Sequence, residues 1–455
     1  MSVTATEALP GTGRIARGVH PDPRKAFSAD AAVEALPAPP VVTLPLLQHT
    51  GAPCSATVKA RDEVEAGARI ADTDAFVAAP VHTPVAGVVQ RATVVTLPNG
   101  RHLPAIPIKT AAGVPSPEAL LAAELGGDWP TDDAPARDPA DILRAIRDAG
   151  IVGQGGAAFP THVKLKPNPA KPVDTLLVNG CECEPFLTAD YRLAVEAPRA
   201  ALAGALLAAR ACGARSIYIA VEDHQAGALQ ALREAAAGLP VTVAAVQTRY
   251  PMGGEKQTVR AVLGRTIPTG GLPLDVGVVV INVATAAAIA RAIQRNRPLT
   301  HRIVTVTGAG VVTPKNLLVA VGTPYETLLD ACRGLTADAA RVIAGGPMMG
   351  FAIGDLGTPV TKGTSGIVAL THADVRRAEE TACVRCGRCV DVCPLRLVPS
   401  RLALAARHRD GDLARRYHMA ACMECGCCAY VCPASLPLVQ LMRMGKAQLR
   451  RESEA

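Results

Sequence analysis

Aromatic side chains are scarce in this chain, with one Trp, six Tyr and five Phe among 455 residues. Ala, Val, Leu and Ile must therefore fill the core, and a hydrophobic share of 49% is enough for that. A concentrated basic block is also missing. The net charge of +7 is spread along the chain, whereas nucleic-acid binders show a basic stripe with stacking aromatics. That class is set aside. No run of about 18 uncharged apolar residues occurs, as a membrane-spanning helix requires. The nearest candidates, residues 272–290 and 200–211, are interrupted by Asp275 and Asn282 and by Arg210. Both read as buried strand and helix segments. Residues 1–18 hold no apolar core of the signal-peptide kind. The expectation is a cytoplasmic chain with no transmembrane helix of its own, of two to four domains.

Cysteine, by contrast, is plentiful. Of 14 in the chain, nine fall in two compact stretches near the C-terminus, eight of them at the motif positions. The large, unsignalled chain points to metal rather than to disulfides. The first motif runs Cys383-Val-Arg-Cys386-Gly-Arg-Cys389-Val-Asp-Val-Cys393-Pro394, and the second Cys422-Met-Glu-Cys425-Gly-Cys427-Cys428-Ala-Tyr-Val-Cys432-Pro433. Both fit the C-x2-C-x2-C-x3-C-P run of two-cluster ferredoxins, in which the fourth cysteine serves the other cluster. Cys383, Cys386, Cys389 and Cys432 are thus expected to hold one 4Fe-4S cluster. Cys422, Cys425, Cys428 and Cys393 hold the other. A pair of zinc sites is the alternative, but zinc favours separated C-x2-C pairs. Cys427 reads as a packed thiol. Residues 401–419 between the motifs are helix-prone.

A second concentration of chemistry lies mid-chain. After a helical stretch at 141–149 comes Gly150-Ile-Val-Gly153-Gln-Gly155-Gly156-Ala-Ala-Phe-Pro-Thr-His-Val-Lys164. Such glycines let the backbone approach a ligand and turn its N–H groups inward. The loop follows no strand and lacks Gly-Lys-Ser/Thr, so it is neither a Rossmann fingerprint nor a P-loop. A buried strand at 173–179 ends in Asn179-Gly-Cys181-Glu182-Cys183-Glu184-Pro185. Another at 276–281 ends at Asn282. Ligands bind at such strand ends in open α/β sheets. Cys181 and Cys183 have poor metal spacing and read as packing residues. Tyr250-Pro-Met-Gly253-Gly254-Glu255-Lys256-Gln257 forms a second glycine turn.

These segments, with His20-Pro21, Gly345-Gly-Pro-Met-Met-Gly350 and the two cysteine motifs, together resemble the C subunit of the Rnf electron-transport complex. That family is related to the flavin-bearing subunit of respiratory complex I. The resemblance covers nearly the whole chain and implies a multidomain α/β fold. Its parts are an N-terminal β barrel-sandwich domain (1–112), lipoyl-like but without a lysine at the hairpin tip 71–75, and a Pro- and Asp-rich linker (113–139). A Rossmann-like FMN/NADH-binding domain (140–300), a small β-grasp domain (301–365) and an α-helical two-cluster ferredoxin domain (366–455) follow. Carried over by motif, Gly153, Gly155, Gly156 and Lys164 contact FMN. Asn179, Asp190 and Asn282 surround its ribityl and phosphate groups. Glu182 and Glu184 flank the flavin ring and the nicotinamide nucleotide, and Glu255 helps hold the nucleotide.

The implied function is NADH oxidation through non-covalent FMN and two 4Fe-4S clusters, with no catalytic side chain. A flavin converts a two-electron hydride into the single electrons that clusters accept. Implied partners are Rnf membrane subunits and ferredoxin or flavodoxin, at the cytoplasmic face of the bacterial inner membrane, with electrons running in either direction. A soluble cobalamin reductase of the same superfamily and a non-catalytic iron–sulfur relay remain the alternatives. The basic C-terminal tail reads as a solvated terminal helix, with membrane docking as the other reading.

Overall fold

The apolar runs that interrupt the polar chain become the inner strands of the largest domain. In the computed structural model, which describes residues 9–375 and 378–454, the expected strand at 173–179 is Thr175–Asn179 and that at 276–281 is Val278–Asn282. They pair in parallel, and Ser216–Glu222 and Thr242–Val246 complete a four-stranded sheet. Parallel strands buried on both faces read as unbroken apolar runs, as Leu176, Val178, Val279 and Ile281 do here. The Ala-rich helices Pro198–Cys212 and Val283–Arg295 pack on the sheet. They touch so closely at Gly204 that a Cβ there would lie 1.7 Å from the Ala286 carbonyl oxygen. The apolar runs of the sequence are thus spent on this core. Among the described residues, no helix is long and apolar enough to cross a membrane.

Before this domain, two small sheets enclose Val42, Leu44, Ile70, Val81, Ile106 and Ile108 as a barrel sandwich. Its hairpin tip docks on the flavin-type domain, where Arg147 pairs with Asp72 at 3.2 Å and donates to the Thr73 carbonyl. Residues 9–36 lie outside the barrel. They run across the α/β domain, and Val33–Ala35 joins the sheet of the next domain beside Lys315–Ala320. The expected linker is folded: Pro117–Glu124 is a helix, and Trp129 is buried under the Arg295 guanidinium at 3.5 Å. The β-grasp sheet has six strands, and its strand Gly366–Thr371 lies beyond the boundary expected at 365.

The cysteine motifs lie in a helical domain closed by Leu402, Ala406, Met419, Leu438 and Met442. The helix expected over 401–419 is two helices, Pro399–His408 and Gly411–Arg416. Arg409 turns left-handed between them and the Asp410 carboxylate caps the second. The basic tail, read as solvated, is the helix Leu438–Glu454, and its inner face packs into this core. Arg443 and Lys446 both pair with Glu424. The outermost ends of the expected first and last domains, residues 1–8 and 455, lie outside the described residues, as do residues 376–377.

Candidate functional site

The strand order of the parallel sheet is Thr242–Val246, Ser216–Glu222, Thr175–Asn179, Val278–Asn282. Successive strands first add to one side of Thr175–Asn179, and the last adds to its other side. The order therefore reverses between Thr175–Asn179 and Val278–Asn282, and a crevice at such a switch point is where open α/β sheets bind ligands. Asn179 and Asn282 stand opposite each other at its lip.

The expected residues converge there. Asn282 caps the helix Val283–Arg295 by accepting from Ala284 N at 2.8 Å, and its amide donates to Asp190 at 2.6 Å. The glycine loop lies against it: a Cβ on Gly155 would be 2.6 Å from Asn282 Nδ2. Gly156 has nothing within 4 Å of its Cβ position, so its face is open to a ligand. Gly153 closes the loop base by donating to Phe159 O. Asn179 donates to Gly253 O at 2.7 Å, joining the first strand to the second glycine turn. Lys164 and Glu255 form an ion pair across the crevice.

Glu182 and Glu184, both half-buried, give their carboxylates to main-chain amides. Glu182 accepts from Asp190 N and Tyr191 N at the start of the helix Ala189–Glu196. Glu184 accepts from Met348 N and Met349 N, anchoring the 345–350 loop. Burial raises the pKa of Glu182 and lifts Glu184 to about 7. Asp190 is also lifted to about 7, by burial and then by repulsion from Glu182.

Sequence reasoning missed two members. Glu222 ends the strand Ser216–Glu222, is 2% exposed, and leaves Oε1 without a hydrogen-bond partner. Burial lifts its pKa to about 8. The rule that picked out Asn179 and Asn282, a polar residue closing an apolar strand, would have found it. The other is Lys25, which no local pattern marks. An open glycine cradle, paired asparagines at the switch point and a buried unpartnered carboxylate oxygen suit a flavin nucleotide.

The two cysteine motifs repeat one backbone. Arg385 and Glu424, Gly387 and Gly426, and Arg396 and Ser435 all adopt left-handed conformations at matching positions. Such turns aim N–H groups inward at sulfur, as Glu424 N does toward Cys422 Sγ and Leu397 N toward Cys393 Sγ. Cys393, Cys422, Cys425 and Cys428 line one cavity, the four thiols expected for one cluster with the crossed-over cysteine among them. Cys393 raises the pKa of both Cys422 and Cys428, behind the larger effect of burial. Cys383 and Cys386 are exposed, near Cys389. Cys427 is fully buried beside Val19, Tyr250 and Cys425, and Cys181 is buried in the sheet core.

The two centres touch. Tyr250 Oη donates to the Cys425 carbonyl at 2.7 Å, and a Cβ on Gly254 would lie 2.6 Å from Met423 Cε. Cys183 accepts from Gly253 N at 3.3 Å and packs in the same cluster.

A barrel sandwich, a flavin-type α/β domain, a β-grasp and a dicluster domain in one chain define an electron-transfer subunit of the complex I-related class. Residues 13–112 match the RnfC barrel sandwich hybrid domain, 146–291 the Nuo51 FMN-binding domain, 303–352 the SLBB domain and 382–436 the 4Fe-4S dicluster domain. The chain is 40% identical to the C subunit of a proton-translocating ferredoxin:NAD(+) oxidoreductase complex of Clostridium ljungdahlii, over 85% of this chain and 83% of that one. The C subunit of an ion-translocating oxidoreductase complex of Rhodobacter capsulatus is 40% identical over 95% and 82%. That of a Na(+)-translocating ferredoxin:NAD(+) oxidoreductase complex of Acetobacterium woodii is 38% identical over 86% and 87%. This chain belongs to the RnfC family, and its cofactors are FMN and two 4Fe-4S clusters.

Proposed function

We propose that the chain is the NADH-oxidising, electron-input subunit of a membrane-bound, ion-translocating ferredoxin:NAD oxidoreductase complex. It sits peripherally on the cytoplasmic face of the membrane and exchanges electrons with Rnf membrane subunits and ferredoxin, in either direction. The observation that carries the reading is the contact between the switch-point crevice and the cavity of Cys393, Cys422, Cys425 and Cys428, through Tyr250, Cys183 and Met423. Bound FMN supplies the exchange between a hydride and single electrons. The chain's own part is to seat the nucleotides on Gly155 and Gly156, with Asn179, Asn282, Lys164 and Glu255 at the rim and Glu182, Glu184 and Asp190 beneath, and to exclude water. The inner cluster is the one facing the crevice. The outer cluster, with Cys383 and Cys386 exposed, serves the partner.

The test is anaerobic reconstitution with iron, sulfide and FMN, followed by NADH. Flavin bleaching with reduced-cluster EPR signals is expected. Reduction by dithionite but not by NADH would refute the reading and leave a relay fed by another subunit.

A further inference from the structure

We propose that Lys25 is a positioning residue of the nucleotide site, a side chain that the N-terminal segment inserts behind the 182–187 loop to fix its backbone. The proposal rests on the reading above for the site's ligand, and on the following geometry for the residue's part in it.

Lys25 Nζ donates to Glu182 O at 2.6 Å, to Glu184 O at 3.0 Å and to Leu187 O. All three ammonium protons are used on one loop. The segment around it is fastened alongside: Phe186 N donates to Pro23 O at 2.8 Å, Phe27 stacks on Phe186 at 5.9 Å, and Ser28 meets Thr188 at 2.7 Å. Within the loop, Glu182 has φ 38° and Phe186 φ 72°. Side-chain-bearing residues hold such angles only where their surroundings over-determine them. Here Lys25 takes the carbonyl of one of these residues and of the residue following the other.

The groups facing Lys25 come from several elements. The loop gives Glu182, Cys183 and Glu184, and the helix Ala189–Glu196 gives Asp190. The strand Ser216–Glu222 and the turn after it give Glu222 and His224. Lys25 favours the charged form of Glu182, Glu184, Asp190 and Glu222 alike, against burial that disfavours it. Arg302 acts on Asp190.

The experiment compares wild type, Lys25→Met, Lys25→Arg and Glu222→Gln as full chains with both clusters. FMN affinity is followed by fluorescence quenching from pH 5.5 to 9, and amide exchange over residues 182–191. Lys25→Met is expected to speed exchange of the loop amides at least tenfold and to move the affinity profile to higher pH, with Lys25→Arg restoring both. Glu222→Gln, which removes the negative charge this carboxyl takes on above about pH 8, is expected to move only the alkaline limb of the profile down. Lys25→Met with a wild-type profile and wild-type exchange would overturn the proposal. Should Lys25→Met fail to fold, Lys25→Gln is measured in its place, and wild-type exchange of the loop amides in it overturns the proposal. Wild type that binds FMN yet is not reduced by NADH would defeat the proposed function while leaving both readouts in force.

Discussion

Adding one methyl group at each of two adjacent glycines separates the scaffold of the crevice from its ligand face. At Gly155 the new Cβ would lie 2.6, 2.9 and 3.0 Å from Nδ2, Cγ and Cβ of Asn282. Asn282 cannot step aside freely, because it caps the helix Val283–Arg295 and is hydrogen-bonded to Asp190. Relief means either losing that cap, about 1 kcal/mol, or straining the loop, about 1–3 kcal/mol. Gly155→Ala should therefore destabilise the flavin-type domain by about 2 kcal/mol, roughly 4–8 °C in Tm for a domain of this size. Gly156 has open space at its Cβ position, so Gly156→Ala should leave Tm within about 2 °C (a change below about 0.5 kcal/mol, as for an exposed site) while weakening FMN binding at least tenfold. Differential scanning calorimetry of the apo chains and flavin quenching titrations give the two numbers. A Gly156→Ala chain that binds FMN like wild type, or a Gly155→Ala chain with unchanged Tm, would refute this assignment of the loop's faces.

Other consequences follow from buried charge. The Glu222 carboxyl holds its proton up to about pH 8 in the folded chain but only to about 4.5 when unfolded. Its burden on stability therefore grows as pH rises from about 4.5 to 8, and Glu222→Gln should gain Tm over wild type at pH 8.5 more than at pH 5. Arg291 meets Glu124 at 3.1 Å with both nearly inaccessible. Arg291→Met should cost about 3 kcal/mol in urea unfolding, short of the largest such losses because Arg297 still reaches Glu124. Cys393→Ser should remove the EPR signal of the cluster held with Cys422, Cys425 and Cys428, although its own motif contains three of the four cysteines of the outer cluster. Loss of the outer signal instead would overturn the crossed ligation.

Both centres left short local marks in the sequence, although each is assembled from distant segments. Cys383 to Cys393 and Cys422 to Cys432 carry their ligands within single short loops, and Asn179 and Asn282 mark the ends of visibly apolar strands. What could not be read depends on distant pairings. Lys25 meets carbonyls more than 150 residues away, and nothing near it in sequence announces that. The stretch 113–139 looked like a linker from its Pro and Asp content, yet Trp129 finds a buried place under Arg295. Val33–Ala35 and Gly366–Thr371 belong to one sheet, although the barrel and the whole flavin-type domain lie between them in sequence. The contact between Tyr250 and Cys425 likewise arises only once the two domains are packed together.

The order of the two clusters bears most directly on the proposed electron route. Cys386→Ser and Cys425→Ser chains, loaded anaerobically with FMN and checked for iron content, are mixed with NADH and followed by stopped-flow absorbance and freeze-quench EPR. Cys386→Ser is expected still to bleach its flavin and reduce the remaining inner cluster. Cys425→Ser should bleach its flavin but pass electrons to the outer cluster at least tenfold more slowly. Unimpaired outer-cluster reduction in Cys425→Ser, with the inner cluster of Cys386→Ser left oxidised, would contradict that order.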